Sequence, residues 1–193
     1  MAVEPEKRKR NAAATREAIL ESARKAFARH GYDGAGVREI AAGAGVTAML
    51  VNRYFGSKEQ LFAEVVALTM ADPIILTDRI LGAASPGKAF TAALVAMTKP
   101  GAQMPDGFQI MLRSAASERA AEIGRVQIEK HHQKTLSAAL GGEHAAQRAA
   151  LLFALVAGFQ VMRQMIGLKA LAKADAGVLE ALMSPLIERL MEG

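Results

Sequence analysis

GYDGAGVREIAAGAGVTAMLVNRYFGSKEQLF, residues 31–62, contains two short helical segments joined by a glycine-bearing turn, and this pattern decides the fold. Val37, Ile40, Ala41 and Ala44 recur at helical spacing and share one face, which predicts a helix over 37–44. Gly45-Val46 breaks it. Thr47 is placed to cap a third helix running to about Phe55, in which Val51 and Phe55 lie one turn apart and face inward with Val46. Gly56-Ser57 ends that helix, and Ser57 caps the next, whose core positions are Leu61, Phe62, Val65 and Val66. Upstream, a helix of about four turns starts from Thr15 as its N-cap. It sets Ile19, Leu20, Ala23 and Phe27 on one face, keeps Arg16, Glu17, Glu21, Arg24 and Lys25 largely opposite, and stops at His30-Gly31. Two short helices with a glycine turn, following a longer supporting helix, define a helix-turn-helix unit.

In such a unit the third helix enters the major groove of DNA, so side chains not spent on the internal core face base edges or phosphates. Here they are Ala48, Met49, Asn52 and Arg53. Asparagine pairs bidentately with adenine and arginine with guanine, while small or apolar side chains meet a thymine methyl. Tyr54 and Lys58, at the helix end, suit phosphate contacts that fix register, and Arg38 at the start of the second helix reaches a phosphate or a base. Any one exposed Arg or Asn is usually a solvated surface residue. The clustering of break, cap, Asn-Arg-Tyr and Lys within twelve residues is what points to DNA. The basic run Lys7, Arg8, Lys9 and Arg10 adds an arm that either contacts phosphate or minor groove or is a solvated tail.

The stretch resembles the DNA-binding region of the tetracycline-repressor (TetR) family of one-component bacterial transcription regulators, over about residues 13–66. Ile40, Ala41, Ala44, Gly45, Val46 and Phe55 match the family's scaffold positions, and Ser57, Lys58 and Leu61 match the start of its connecting helix. Arg38, Thr47, Ala48, Met49, Asn52, Arg53, Tyr54 and Lys58 match its DNA-facing positions. Three departures stand out: Asn52 where a tyrosine is usual, Tyr54 where a histidine is common, and Gly36 where Ser or Thr caps the second helix. The resemblance implies a two-fold homodimer, a C-terminal helical domain with a small-molecule pocket, and release from a palindromic operator when a small apolar effector binds.

The rest of the chain fits that reading by class. Its 193 residues are 51% hydrophobic and 22% charged, enough for a folded core that buries roughly 70% of the unfolded surface. The absence of cysteine excludes disulfides, thiolate metal sites and a cysteine nucleophile. MAVEPEKRKR has no apolar stretch behind it and does not read as a secretory signal. The most apolar run, Ala149 to Phe159 between Arg148 and Arg163, is shorter than the roughly 20 residues a bilayer needs. A cytoplasmic protein with no membrane partner is the expectation.

Strand signals are nearly absent, and an all-α fold is predicted, with an arm over 1–12, the helix-turn-helix domain over 13–66 and a helical ligand-binding and dimerisation domain over 67–193. Helices are expected at about 86–98, with Pro86 at the first turn behind a Ser85 cap, and at 107–116, 118–139, 143–170 and 175–191, the last kinked or split by Pro185. Eight of the ten methionines lie beyond residue 66, and methionine adapts to irregular surfaces. Phe90, Met97, Met104, Phe108, Met111, Leu112, Phe159 and Met162 are candidate effector contacts, against the blander reading of ordinary core packing. Gln109, Arg113, Gln160 and Gln164 are possible polar handles, each more often a surface residue.

Ala146, Ala150, Ala154 and Gly158 recur at four-residue steps beside Leu151, Phe153, Val156 and Phe159. With Leu179, Leu182, Met183, Leu186 and Leu190 they can build a self-complementary dimer face, although alanine is also simply the best helix former. No metal, cofactor or catalytic residue is predicted. His131 and His132 are adjacent and point about 100° apart on a helix. The GxGxxA spacing at Gly43–Ala48 follows a helix rather than a strand, and no serine sits in a nucleophile elbow. The competing reading is a helical small-molecule-binding protein or enzyme with no DNA specificity.

Overall fold

A computed structural model of the chain describes residues 5–71 and 74–192, with side chains from residue 11 onward. Among the described residues every regular element is helical, as the patterning predicts. In chain order these are α1 (Pro5–Gly34), α2 (Val37–Gly43), α3 (Ala48–Phe55), α4 (Lys58–Thr69), α5 (Asp78–Leu81), α6 (Pro86–Met97), α7 (Asp106–Ser114) and α8 (Glu118–Ile128). A π-helical turn (Glu129–Gln133) leads into α9 (Lys134–Leu140). Then come α10 (Ala145–Gln160), a second π turn (Val161–Met165), α11 (Lys169–Ala172) and α12 (Ala176–Glu192).

The described chain forms two compact units. The first combines the residues up to Met70 with Pro105–Gln127; the second combines Ala71–Met104 with the residues from Ile128 onward. Thus α7 and most of α8, assigned from sequence to the C-terminal domain, share the core of the helix-turn-helix unit. Ile19, Ala23 and Phe27 of α1 are buried with Ile40 of α2, Val51 and Phe55 of α3, Leu61, Phe62, Val65 and Val66 of α4, Ile110 of α7 and Ala120 of α8. Phe62 meets both Phe27 and Tyr32 edge-on, each with ring centroids 5.0 Å apart. Such pairs add about 0.5–1.5 kcal/mol beyond area burial.

Two glycines settle how this unit closes. Gly45 adopts φ +67° after α2, and the amide of Val46 donates back to the Ala41 carbonyl at 2.9 Å, the backbone closure that a left-handed residue permits at a helix end. Gly31 has φ 69° and ψ −176°, a conformation essentially confined to glycine. A Cβ there would lie 2.5 Å from the Arg113 carbonyl oxygen, so α7 runs directly against the α1 backbone. The next amide, Tyr32, donates to Ser114 Oγ at 2.9 Å, and Arg24 pairs with Asp106.

Several boundaries differ from the sequence expectation. Thr15 is not an N-cap: α1 already extends through it from Pro5, and its hydroxyl donates to the Asn11 carbonyl one turn back. At the other end Gly31 leaves helical geometry where the stop was expected, and one further turn runs to Gly34. Ser85 occupies the cap position of α6, with Pro86 at the first turn, but makes no side-chain capping bond. The single helix expected at 143–170 ends with the π turn, and Gly167 at φ +68° separates it from α11. The short α5 was not anticipated, and α12 continues through Pro185 rather than splitting there.

In the second unit the core is Leu76, Ile80, Phe90, Leu94, Leu136, Ala149, Leu152, Ile187 and Met191. Close approach of α6 and α12 depends on Gly87, where a Cβ would lie 2.8 Å from the Glu188 Cα. Ala145–Met165 forms 21 helical residues, long and apolar enough by length and composition to cross a membrane, whereas the sequence reading credited only an 11-residue stretch. It is a core helix on one side: Arg148, Ala149, Leu152, Gln160 and Arg163 are buried within this unit.

Candidate nucleic-acid interface

The helix-turn-helix is assembled by local caps. Thr47 Oγ1 accepts from the Leu50 amide at 3.3 Å and starts α3; Ser57 Oγ accepts from the Gln60 amide at 3.2 Å and starts α4. Ser22 Oγ on α1 donates to the Ile40 carbonyl at 2.8 Å, tying α2 to its support. Val51 and Phe55 turn inward, and that single rotational choice fixes what α3 presents outward.

Met49 is 80% exposed, and Thr47, Asn52 and Arg53 are exposed beside it, with Ala48 and Tyr54 half-buried. Arg38 is exposed in the first turn of α2. No described acidic group forms an ion pair with Arg38 or Arg53, so both guanidiniums are available to an anion. Lys58 is more constrained: its Nζ lies 4.6 Å from the centroid of the Tyr32 ring, a cation–π contact that holds the ammonium at the N-terminus of α4.

Tyr32 was not singled out from the sequence, although a buried tyrosine in a turn signals a hydroxyl in need of a partner. It packs its ring under Lys58 and donates its hydroxyl to Glu59 Oε1 at 3.0 Å. Burial, then the adjacent Glu59 carboxylate, pushes the phenol up to about 12. Arg16 is likewise absent from the candidates and is spent inside the unit: it pairs with Glu64 and lies 5.0 Å from the Phe55 ring centroid, bracing α1 against α3 and α4. The expected arm is helical in its backbone from Pro5, and the side chains of Lys7 to Arg10 lie outside the described residues.

The candidate effector contacts divide between the two units. Phe108, Met111 and Leu112 lie on α7 in the first, where the Met111 thioether packs on Gly124 of α8. Phe90 is a core residue of the second unit, with Met97 and Phe159 packed against the same cluster. Met104 is half-buried, and Met162 is exposed. Of the polar handles, Gln160 is buried rather than on the surface, and its Nε2 has no hydrogen-bond partner. Arg113 is exposed and donates to the Arg29 carbonyl at 3.4 Å. Gln109 and Gln164 are half-buried. No group of three potential metal ligands occurs among the described residues. His132 is held below the usual imidazole range by burial and then by His131.

A capped recognition helix with an outward cationic and amide face, braced by a longer helix and carried with a second helical unit, defines a DNA-binding regulator of the helix-turn-helix class. The family profile described as "Bacterial regulatory proteins, tetR family" matches residues 19–65, and that described as "Tetracyclin repressor-like, C-terminal domain" matches residues 85–191. This chain belongs to the TetR family of bacterial transcriptional regulators.

Among its relatives are the HTH-type transcriptional repressor AcnR of Corynebacterium efficiens, 46% identical over 48 residues, and the HTH-type transcriptional repressor SCO4008 of Streptomyces coelicolor, 43% identical over 63. These matches cover 25% and 33% of this chain and 26% and 33% of the relatives, so the chain spans about a quarter to a third of their length. The crystal structure of a transcriptional regulator from Rhodococcus sp. Rha1 superposes with a TM-score of 0.63 at 27% identity, covering 92% of this chain and 96% of that one.

Proposed function

We propose that the protein is a ligand-responsive transcriptional repressor that binds a palindromic operator as a homodimer. The observation that carries this reading is the outward face of α3: Thr47, Met49, Asn52 and Arg53 are all exposed while Val51 and Phe55 anchor the helix. Arg53 and Asn52 read base edges, Arg38 and Lys58 take phosphates, and Ala48, Met49 and Tyr54 contribute apolar and register-fixing contacts. The repressor names of the relatives matched over this region support the sign of regulation.

The dimer face falls on α10 and α12. Ala146, Ala150, Ala154 and Gly158 are all exposed with Leu151 and Leu155, and on α12 Val178, Leu182 and Leu186 are 53–68% exposed. Contiguous apolar exposure of this kind marks an interface. Nothing in the protomer lies within 4 Å of a Cβ built at Gly158, so the small side chain there leaves room for a partner rather than for an internal neighbour. Phe153, Val156 and Phe159 instead pack on the protomer's own core, as do Met183 and Leu190. A two-fold arrangement sets two α3 helices against half-sites about 34–36 Å apart, and an effector that prefers a state with another spacing releases the DNA.

Replacing Leu182 and Leu186 together with Glu tests this directly. Both are exposed in the protomer, so the helical content should persist while sedimentation shifts from twice the chain mass to the 20.4 kDa monomer. Operator affinity then drops by about 100-fold or more, because the second half-site no longer binds as an intramolecular event. A double variant that remains dimeric contradicts the assigned face.

A further inference from the structure

Lys58 is held in place without being neutralised. Its Nζ lies 4.6 Å from the centroid of the Tyr32 ring, and it forms no ion pair with any described acidic group. Arg16 in the same unit shows the alternative. It too sits over a ring, 5.0 Å from the Phe55 centroid, but its charge is spent on Glu64. A ring face attracts a cation through its quadrupole and carries no net charge of its own, whereas a carboxylate cancels the charge it binds. Lys58 therefore has a fixed place and an uncancelled charge, and Arg16 has only the first.

The same tyrosine engages the carboxylate nearest Lys58 in the chain. Tyr32 donates its hydroxyl to Glu59 Oε1 at 3.0 Å, and Glu59 makes no ion pair with Lys58. One side chain thus supports the cation with its ring and occupies the adjacent anion with its hydroxyl.

Tyr32 is itself fixed from three helices. It is 6% exposed, its ring stacks with Phe27 of α1 at 6.4 Å, and it meets Phe62 of α4 edge-on at 5.0 Å. Its amide donates to the hydroxyl of Ser114, the last residue of α7 and 2% exposed, at 2.9 Å. On either side of that bond Arg113 Nη1 donates to the Arg29 carbonyl at 3.4 Å and Ser117 Oγ donates to Asp33 Oδ1 at 3.2 Å. The turn that carries Tyr32 is therefore gripped by the C-terminal end of α7, and direct contacts run from Ser114 through Tyr32 to Lys58.

A lysine that must be immobilised as it meets a ligand loses rotamer freedom at that moment, and one already held loses less. We propose that Tyr32 is a positioning residue for DNA binding: anchored by Ser114 of α7, it presents the uncancelled ammonium of Lys58 to a phosphate. The proposal rests on the reading of Lys58 as a phosphate contact. Tyr32 and Ser114 act through that lysine, so their effect on affinity vanishes when the lysine is absent.

A double-mutant cycle tests this, read by fluorescence anisotropy of the full chain on a duplex carrying the inverted repeat that the native chain enriches from a random pool. Lys58→Ala should weaken binding by about 10-fold and make the dependence of log K on log salt shallower by about 1 per half-site. Tyr32→Leu should weaken binding by about 3- to 10-fold when Lys58 is present and by less than about 2-fold in the Lys58→Ala background. Tyr32→Phe keeps the ring between Phe27 and Phe62 and should restore most of the affinity lost in Tyr32→Leu. A merely structural role would weaken both backgrounds equally. If Tyr32→Leu does not fold, Ser114→Ala carries the test, with about 3-fold weaker binding beside Lys58 and none in its absence. Equal losses in both backgrounds, a Tyr32→Phe chain as weak as Tyr32→Leu, or native affinity of Tyr32→Leu where Lys58→Ala is weak overturns this proposal alone. Native affinity of Lys58→Ala, or enrichment of no duplex by the native chain, overturns the phosphate contact and this proposal with it.

Discussion

Replacing Arg53 and Lys58 together with Ala should reduce affinity for the operator by about 100-fold while leaving a folded dimer. A bidentate base contact from arginine is worth about 1–3 kcal/mol, and losing one phosphate contact makes the dependence of log K on log salt shallower by about 1. Arg53 is exposed and makes no ion pair with any described acidic group, so its loss costs the fold little. Lys58 loses only its contact with the Tyr32 ring, worth about 0.5–1 kcal/mol. Fluorescence anisotropy at several salt concentrations, with circular dichroism and sedimentation as controls, reads all three quantities. Unchanged affinity at physiological salt would remove α3 as the reading helix.

Gly31→Ala should destabilise the first unit by about 3 kcal/mol or more. Two costs add: placing a side chain at φ 69° and ψ −176° costs about 1–3 kcal/mol, and the new methyl would lie 2.5 Å from the Arg113 carbonyl oxygen. The obstacle is backbone rather than the end of a flexible side chain, so relief requires α7 to move away from α1. That movement also stretches the Tyr32 amide to Ser114 Oγ bond. In urea the midpoint should fall by about 1 M or more with little change in slope. A midpoint unchanged to within about 0.2 M would mean that the α1–α7 contact is not held at Gly31.

The consequence for function follows from where Gly31 sits. Tyr32 comes directly after it, and Tyr32 supports both Glu59 and Lys58 at the start of α4. A displaced α7 therefore disturbs the end of the helix-turn-helix nearest Lys58, the lysine proposed to take a phosphate.

The helix-turn-helix was legible because its signals are local. Thr47 and Ser57 cap the helices expected of them, and the spacing of Val51 and Phe55 alone sets the exposed face of α3. Sequence patterning had no access to the long-range partners. That α7 joins the first unit rests on Gly31, Gly107 and Ser114 meeting residues far along the chain, and no periodicity encodes such a meeting. Thr15 failed as a cap for a related reason: its hydroxyl satisfies a carbonyl one turn back, an option open to any helical threonine. Arg163 was hidden by its setting at the end of an apolar run. The sequence makes it a boundary charge, whereas three nearby acceptors at α6 and α11 make it a buried one.

Sequence-specific binding by a two-fold dimer is open to a single test: selection of duplexes from a random DNA pool by the purified full chain, at near-physiological salt and with nothing added. An inverted repeat whose half-sites are centred about one helical turn, or a multiple of it, apart should be enriched, and that enrichment should be lost in the Arg53→Ala, Lys58→Ala double variant. Enrichment of no sequence by a folded dimer, or enrichment that survives in the double variant, would contradict it.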